Sequence, residues 1–233
     1  MKIPLLNELI DFIFPKICII SEKKLSEQNS NQFIDDKILI ALERTNNNDL
    51  INLKLKLDSD FSFSMYRFSE ESNFQKIIHH VKYQGMKRLG YFMGIKAGRF
   101  ILQNHTIPDR IKPDYIVPIP LYKTKERERG YNQSEYIAKG INTILKINYF
   151  DKLLIRVKNT KSQTQLTLRE RQENVKNAFA INKEHKQDIF NKNIILVDDV
   201  VTSGSTLNEA IKVLKKAGAE TVSSLTLGMV VEN

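Results

Sequence analysis

The chain reads as an α/β protein in which a mostly parallel sheet is flanked by helices. One basis is the run Ile194, Ile195, Leu196 and Val197, continuous, apolar and rich in β-branched residues, as expected of a strand covered on both faces. A second is the helical pattern just after it. Leu207, Ala210, Ile211, Leu214 and Ala217 recur at helical spacing, with Gly218 as a stop. The third is alternation along the chain: strand patterns at 115–119, 153–157, 194–197 and 222–227 are separated by helical patterns at 134–145, 168–177 and 207–217. Strands alternating with helices give a parallel sheet.

In chain order, Leu5, Leu6, Leu9, Ile10 and Ile13 predict an amphipathic helix ending before Pro15. Asn7, Glu8 and Asp11 break the apolar run too early for a signal peptide. No window approaches 18 consecutive apolar residues, so no transmembrane segment is expected. Polar stretches at 26–31 and 45–49 read as loops. Ile51, Leu53, Leu55 and Leu57 then alternate, residues 58–60 turn, and Phe61, Phe63 and Met65 alternate again, a β-hairpin pattern. From Glu70 the pattern is helical, with Phe74, Ile77, Ile78 and Val81 on one face, and a second helix spans 90–102. The expected organisation is therefore an N-terminal region, 1–60, and a main domain, 61–233, around one core.

Lysine and arginine number 36 against 27 acidic residues, for a formal charge of +9 and a pI near 9.4. That balance favours anionic partners, although charge spread along a chain also serves to solvate its surface. The single cysteine, Cys18, excludes an intrachain disulfide and suits a reducing cytoplasm, the expected location. His79 and His80, with no thiol or carboxylate cluster nearby in sequence, read as structural.

The stretch NIILVDDVVTSGSTL, 193–207, carries the functional reading. A strand runs through Asp198 and Asp199 into a Ser/Thr/Gly turn and then a helix. In open α/β sheets ligands bind beyond the carboxyl ends of strands, and a helix N-terminus favours an anion. Thr202, Ser203, Gly204, Ser205 and Thr206 suit a phosphate, with hydroxyl donors and a glycine that permits close approach. Two carboxylates beside a phosphate need something else to face, and a ribose diol is such a partner. The segment has neither a GxxxxGK[ST] nor a GxGxxG pattern.

VDDVVTSGST resembles the phosphoribosyl pyrophosphate loop of type I phosphoribosyltransferases. The resemblance implies that fold, Asp198 and Asp199 as catalytic residues that orient the ribose, and Val200, Val201, Thr202, Ser203, Gly204, Ser205 and Thr206 as the binding loop. Further stretches narrow the family. DYIVPIPLYKTKERERGYNQ at 114–133 is similar to the D-x-[IV]-V-P-[VI]-P-L and R-x-R-G-[FY]-N-Q segments of the ComF family of competence-associated proteins. Thr160, Gln163, Leu166, Arg171, Asn174, Ala178 and Phe179 resemble another of its stretches, and VKYQG at 81–85 a fourth. The ordered set covers roughly residues 66 to 230.

This resemblance implies Mg²⁺ with phosphoribosyl pyrophosphate, or a nucleotide, as ligand, and a role in DNA uptake during natural transformation. Pro118 and Pro120 form a stiff turn suited to presenting backbone N–H groups. Leu121, Tyr122, Lys123 and Arg129 are the expected pyrophosphate side, with a cis non-proline peptide near Leu121 or Tyr122 implied by the family. Lys123, Lys125, Arg127 and Arg129 either neutralise the leaving group or form a solvated charged run. Lys161, Gln163 and Arg171 belong to the expected mobile loop over the substrate. Enzymes that salvage 6-oxopurines usually carry an Asp where this chain has Thr202, which disfavours that acceptor. Relatives often carry an N-terminal zinc ribbon with paired C-x2-C knuckles, but here Cys18 is followed by Ser21 and no second pair exists. One thiol cannot supply four ligands, so no structural zinc and no metal held by the protein alone is expected. The alternative function is a sensing or single-stranded DNA-binding module. In it Lys82, Lys87, Arg88, Lys123 and Lys125 track the strand, Tyr83, Tyr91 and Tyr131 stack on bases, and competence-machinery proteins are partners.

Overall fold

The computed structural model describes residues 15–104, 106–109, 111–160 and 168–231. The helix expected over 5–13, and Lys161 and Gln163 of the expected mobile loop, lie outside the described residues. In chain order the elements are α1 (Asp36–Ile40), α2 (Asn47–Lys56), β1 (Phe61–Phe68), α3 (Asn73–Tyr83), α4 (Lys87–Gln103), β2 (Tyr115–Pro118), α5 (Lys123–Arg129), α6 (Gln133–Leu145), β3 (Asn148–Tyr149), β4 (Leu154–Arg156), α7 (Leu168–Val175), β5 (Phe179–Ile181), a 3₁₀ turn (Lys183–Ile189), β6 (Asn193–Val201), α8 (Ser205–Lys216) and β7 (Thr221–Val230).

The apolar run of β6 sits at the centre of a parallel sheet ordered β1-β7-β6-β2-β3. Ile195 and Val197 pack with α3, α4 and α6, while Ile194 and Leu196 pack with α2 and α8. Alternate side chains of one strand thus enter two cores, the period-2 consequence of a pleated backbone. The connection leaving β2 passes through α6 on one face and the one leaving β6 through α8 on the other. The crevice between β2 and β6 is therefore a topological switch point, the usual ligand position in such sheets. Together with a separate antiparallel β4–β5 pair, this is the mostly parallel, helix-flanked sheet that the resemblance to type I phosphoribosyltransferases implies.

Helices α4 and α6 meet backbone to backbone. A Cβ on Gly94 would stand 2.2 Å from the Ile137 carbonyl oxygen, and one on Gly140 would stand 2.2 Å from that of Tyr91. Glycine at both positions is what allows α6, and with it the start of α6 beside the crevice, to lie this close to the core.

Two expectations are corrected, and one element is present that no sequence pattern marked. Residues 51–57 form no hairpin strand. Residues 51–56 belong to α2, whose start is fixed by a reciprocal capping box between Asn46 and Asp49 and whose end is capped by Leu57; Leu53 and Leu57 are buried while Ile51 and Leu55 stand exposed. Its neighbour β1 instead pairs in parallel with the distant β7. The run 123–129 is a helix, α5, that buries no residue and closes on Gly130 at φ 80°. The cis peptide expected near Leu121 or Tyr122 is absent. Among the described residues every peptide bond is trans, and Tyr122 takes an extended conformation as the residue opening α5.

Cys18 is buried within a short antiparallel turn closed by the Ile17–Lys24 bridge, and its sulfur accepts the Asp35 N–H at 3.3 Å. Its neighbour in space is a polar knot. The Asp36 carboxylate accepts from the Ser30 N–H and hydroxyl, and Asn31 Oδ1 accepts from the N–H groups of Phe33 and Ile34. Hydrogen bonds of this kind organise the turn.

Candidate functional site

The site begins where β6 passes the apolar run 194–197. Asp198 and Asp199 stand at the carboxyl end of the strand and are 8% and 3% exposed. Burying two adjacent carboxylates is costly unless each is compensated, and the compensation comes from different elements. Asp198 Oδ1 accepts the Ser134 hydroxyl at 2.7 Å, from the first turn of α6, and the Asp199 N–H at 2.9 Å. Asp199 Oδ1 accepts the Val200 N–H at 2.7 Å. Asp199 Oδ2 lies 3.2 Å from the ammonium of Lys82, near the end of α3, yet makes no well-aligned hydrogen bond. Burial, reinforced by the negative charge of Asp199, pushes the Asp198 carboxyl up to about 7, against the opposing pull of Ser134 and Lys82.

Ser134 is held in position by its own helix start. Asn132 caps α6 by accepting the Ser134 N–H at 3.1 Å, while its amide donates to the Ile119 carbonyl at 3.0 Å at the end of β2. Asn132 thereby ties the β2 turn to the α6 terminus beneath Asp198. Ile119 N–H donates to the Val197 carbonyl, so it is occupied by the sheet and does not face a ligand. Pro118 and Pro120 have no N–H to offer.

Beyond Asp199 the chain passes Val200 and the buried Val201 into the loop Thr202, Ser203, Gly204, Ser205, Thr206, which opens α8. Gly204 adopts φ 78°, the left-handed conformation glycine tolerates, and a Cβ there would meet Leu57 at 2.8 Å. The Ser203 and Ser205 hydroxyls lie 2.9 Å apart. The 12-residue α8 aims its positive end at this turn. Helix α2 braces the loop from outside. Lys56 Nζ donates to the Thr202 carbonyl at 2.8 Å, and Asn208 Nδ2 to the Lys56 carbonyl at 2.9 Å. The N-terminal region is thus in contact with the loop.

On the opposite flank cations gather. Within α5 the helical repeat turns Lys125 and Arg129 partly inward and leaves Lys123 and Arg127 exposed. Leu121 and Tyr122, partly exposed, link β2 to this helix. Arg129 stacks 5.2 Å over the Tyr83 ring and donates to Gln133 Oε1. Arg156, on β4, stacks 5.2 Å over Phe179 and donates to the Thr160 hydroxyl at 2.7 Å. Burial lowers the Lys125 ammonium, and the charges of Arg156 and Arg129 lower it further. Burial likewise lowers Arg156, against the attraction of Asp198. Arg156 and Arg129 thus stand close enough to Lys125 to repel its charge, an arrangement that an anion would relieve.

The structure therefore places Asp198, Asp199 and the 202–206 loop in succession at the β2–β6 switch point, with Arg156 near enough to act on Asp198 and with Lys125 within the influence of Arg156 and Arg129. Lys123 is exposed on α5, and it is Lys125, partly buried, on which the charges of Arg156 and Arg129 act. Arg171, on α7, lines a cavity that Thr202 and Ser203 also line. Lys82 and Tyr131, expected to contact a strand of DNA, are otherwise engaged. Lys82 pairs with Asp199, and Tyr131 is buried with its hydroxyl donating to the Val81 carbonyl. Sequence reading missed Ser134, Lys82 and Arg156 as site residues. The first two stand in or beside the family motifs; Arg156 carries no local signal beyond being a cation in a short strand.

The phosphoribosyl transferase domain family matches residues 132–228, a span holding Ser134, Arg156, both aspartates and the loop. The chain is 39% identical over 110 residues to competence protein F of Haemophilus influenzae, covering 47% of this chain and 48% of that one. It is 34% identical over 110 residues to the DNA utilization protein YhgH of Escherichia coli O157:H7, covering 47% of each. To competence protein ComFC of Bacillus subtilis it is 36% identical over 126 residues, 51% of this chain and 47% of the relative. The chain spans about half the length of the curated relatives it matches.

Proposed function

We propose that this chain, a ComF-family, phosphoribosyltransferase-like protein over its matched residues, binds phosphoribosyl pyrophosphate with Mg²⁺ in the crevice between β2 and β6. The supporting observation is the buried Asp198–Asp199 pair set between a glycine-bearing loop that opens a helix and the cations Lys125, Arg129 and Arg156. In this reading the ribose diol donates to the carboxylates, the 5′-phosphate sits on residues 202–206, and the pyrophosphate faces the cations.

The residues fit the cation. Asp199 Oδ2 is a buried oxygen with no hydrogen-bond donor aligned to it, a hard donor of the kind Mg²⁺ takes. Among the described residues no cluster of three or more such groups exists, so the ion would be held chiefly by the sugar pyrophosphate. Bound there, it supplies charge neutralisation to the leaving pyrophosphate. The protein's own part is positioning and electrostatics. As the bond from C1′ to pyrophosphate lengthens, positive charge grows on the ribose, which the aspartates favour, and negative charge grows on the leaving group, which Lys125, Arg129 and Arg156 receive. Transfer to an acceptor in support of DNA uptake or utilisation is the physiological role we infer, by extension from the relatives' names.

Equilibrium dialysis with labelled phosphoribosyl pyrophosphate tests the site. Asp199→Asn is expected to weaken binding at least about tenfold, roughly 1.4 kcal/mol, with little change in unfolding midpoint. Unchanged affinity in a stable variant would remove Asp199 from the site. A second reading, single-stranded DNA binding, is supported by Tyr83, which is 60% exposed, lies under Arg129, and has His79 5.1 Å away. Base stacking on Tyr83 would bring an end of the strand to the crevice. Binding that falls steeply with salt and with Tyr83→Ala supports it; salt-insensitive behaviour does not.

A further inference from the structure

A cavity of about 790 Å³ lies against Thr202 and Ser203 but contains neither aspartate of the crevice. Its walls come from α2, the end of β1, α7 and the end of β7. Among the described residues that line it, Lys56, Arg67 and Arg171 are cationic and Asp49 is acidic, and Arg67 also lies 3.6 Å from Glu43 outside the cavity. That aspartate is already engaged, by Arg67 at 3.4 Å and by the Asn46 N–H at 2.9 Å. Asn48 and Asn52 project one turn apart from the exposed side of α2 and offer amides that both donate and accept. Met229, Val230 and Val231 supply an apolar floor, and Leu55, 82% exposed, an apolar rim.

Cations at one side, paired amides and an apolar floor describe a ligand with an anionic group, hydrogen-bonding edges and a flat apolar body. The volume falls within the roughly 300–1,000 Å³ of small-molecule sites. The geometry points to a second ligand site, for a nucleoside monophosphate, on the outer side of the phosphate loop. Its phosphate meets Lys56, Arg67 and Arg171, and its base lies over Met229 and Val230 within reach of Asn48 and Asn52. The site does not depend on what occupies the crevice. The loop is nonetheless common to both, since Thr202 and Ser203 line the cavity and Lys56 holds the Thr202 carbonyl. An occupant of the cavity therefore changes the affinity of the crevice, and reciprocity requires the converse. This coupling rests on the crevice binding phosphoribosyl pyrophosphate; the site itself does not.

Calorimetric titration of AMP, GMP, CMP and UMP into the full chain tests the site, with orthophosphate as comparator and with Asn52→Asp and Asp199→Asn in parallel. Asn52 is exposed on α2, so its substitution leaves the fold intact while adding negative charge to the cavity. The expected result is binding of at least one nucleotide, weakened about tenfold or more by Asn52→Asp and unaffected by Asp199→Asn. Absence of binding by all four overturns the site. So does binding indifferent to Asn52→Asp, and so does orthophosphate binding as tightly as the nucleotides. Loss in Asp199→Asn with retention in Asn52→Asp would assign the nucleotide to the crevice, overturning the second site while leaving the first. Titration of phosphoribosyl pyrophosphate alone reads the crevice independently, so the two failures are distinguishable.

Discussion

Replacing Asp198 with asparagine should make the protein more stable and less able to bind its ligand, and the first effect should depend on pH. Asp198 is 8% exposed, and burial together with Asp199 raises its carboxyl from 3.8 to about 7. In the unfolded chain the group titrates near its ordinary value, about 3.9. Below that pH the carboxyl is neutral in both states. As pH rises toward 7 the unfolded state loses its proton while the folded state keeps it, so wild-type stability falls. Above 7 the loss is complete and constant. At about 1.36 kcal/mol per pH unit, the rise corresponds to roughly 4 kcal/mol. Asparagine retains the oxygen that accepts from Ser134 and from the Asp199 N–H, and it never ionises. Asp198→Asn should therefore match wild type near pH 4 and exceed it by about 2–4 kcal/mol at pH 8. Urea unfolding at both pH values reads this difference, with equal slopes confirming comparable unfolding. A difference independent of pH, or a variant less stable at pH 8, would refute the reasoning. A stabilising change that abolishes binding is the signature of a site kept for function.

Other outcomes arise from neighbouring contacts. Lys82→Gln leaves Asp199 buried without its counter-ion and should cost about 3 kcal/mol in urea unfolding at pH 7; a loss below about 1 kcal/mol would mean that the pair is solvated. Gly94→Ala improves helix propensity by about 1 kcal/mol, yet its Cβ would meet main-chain atoms that cannot rotate away, so a net loss of at least about 2 kcal/mol is expected; a neutral result would contradict the close approach of α4 and α6. Because a proton on Asp198 competes with the ribose diol for that carboxylate, affinity for phosphoribosyl pyrophosphate should fall as pH is lowered through about 7, and this dependence should flatten in Asp198→Asn.

Much of the main sheet was legible because its elements are locally consistent. The β6–loop–α8 unit, α3 and α6 each combine periodicity with a clear start or stop, and their boundaries match the sequence pattern within a few residues. What failed was ambiguity of period. Residues 51–57 alternate, but Leu50, Leu53 and Leu57 in the same window also fall on one helical face, and the Asn46–Asp49 capping box decides for helix. The partner of β1 was illegible for a different reason, since its pairing with β7 joins residues far apart in the chain. Helix α5 has no apolar residue, so no hydrophobic period marks it. Within the site, the aspartates and the loop were readable because one contiguous segment carries them. Lys82, Ser134 and Arg156 were not, because each reaches the crevice from a separate element through tertiary packing.

The central claim is that the crevice holds a phosphorylated ribose between the aspartates and the 202–206 loop. Calorimetric titration of phosphoribosyl pyrophosphate with Mg²⁺ into the wild type and into an Asp198→Asn, Asp199→Asn double variant tests it most directly. The account predicts Mg²⁺-dependent binding by the wild type and none by a folded double variant. A folded wild type that does not bind, or a double variant that binds equally well, would contradict it.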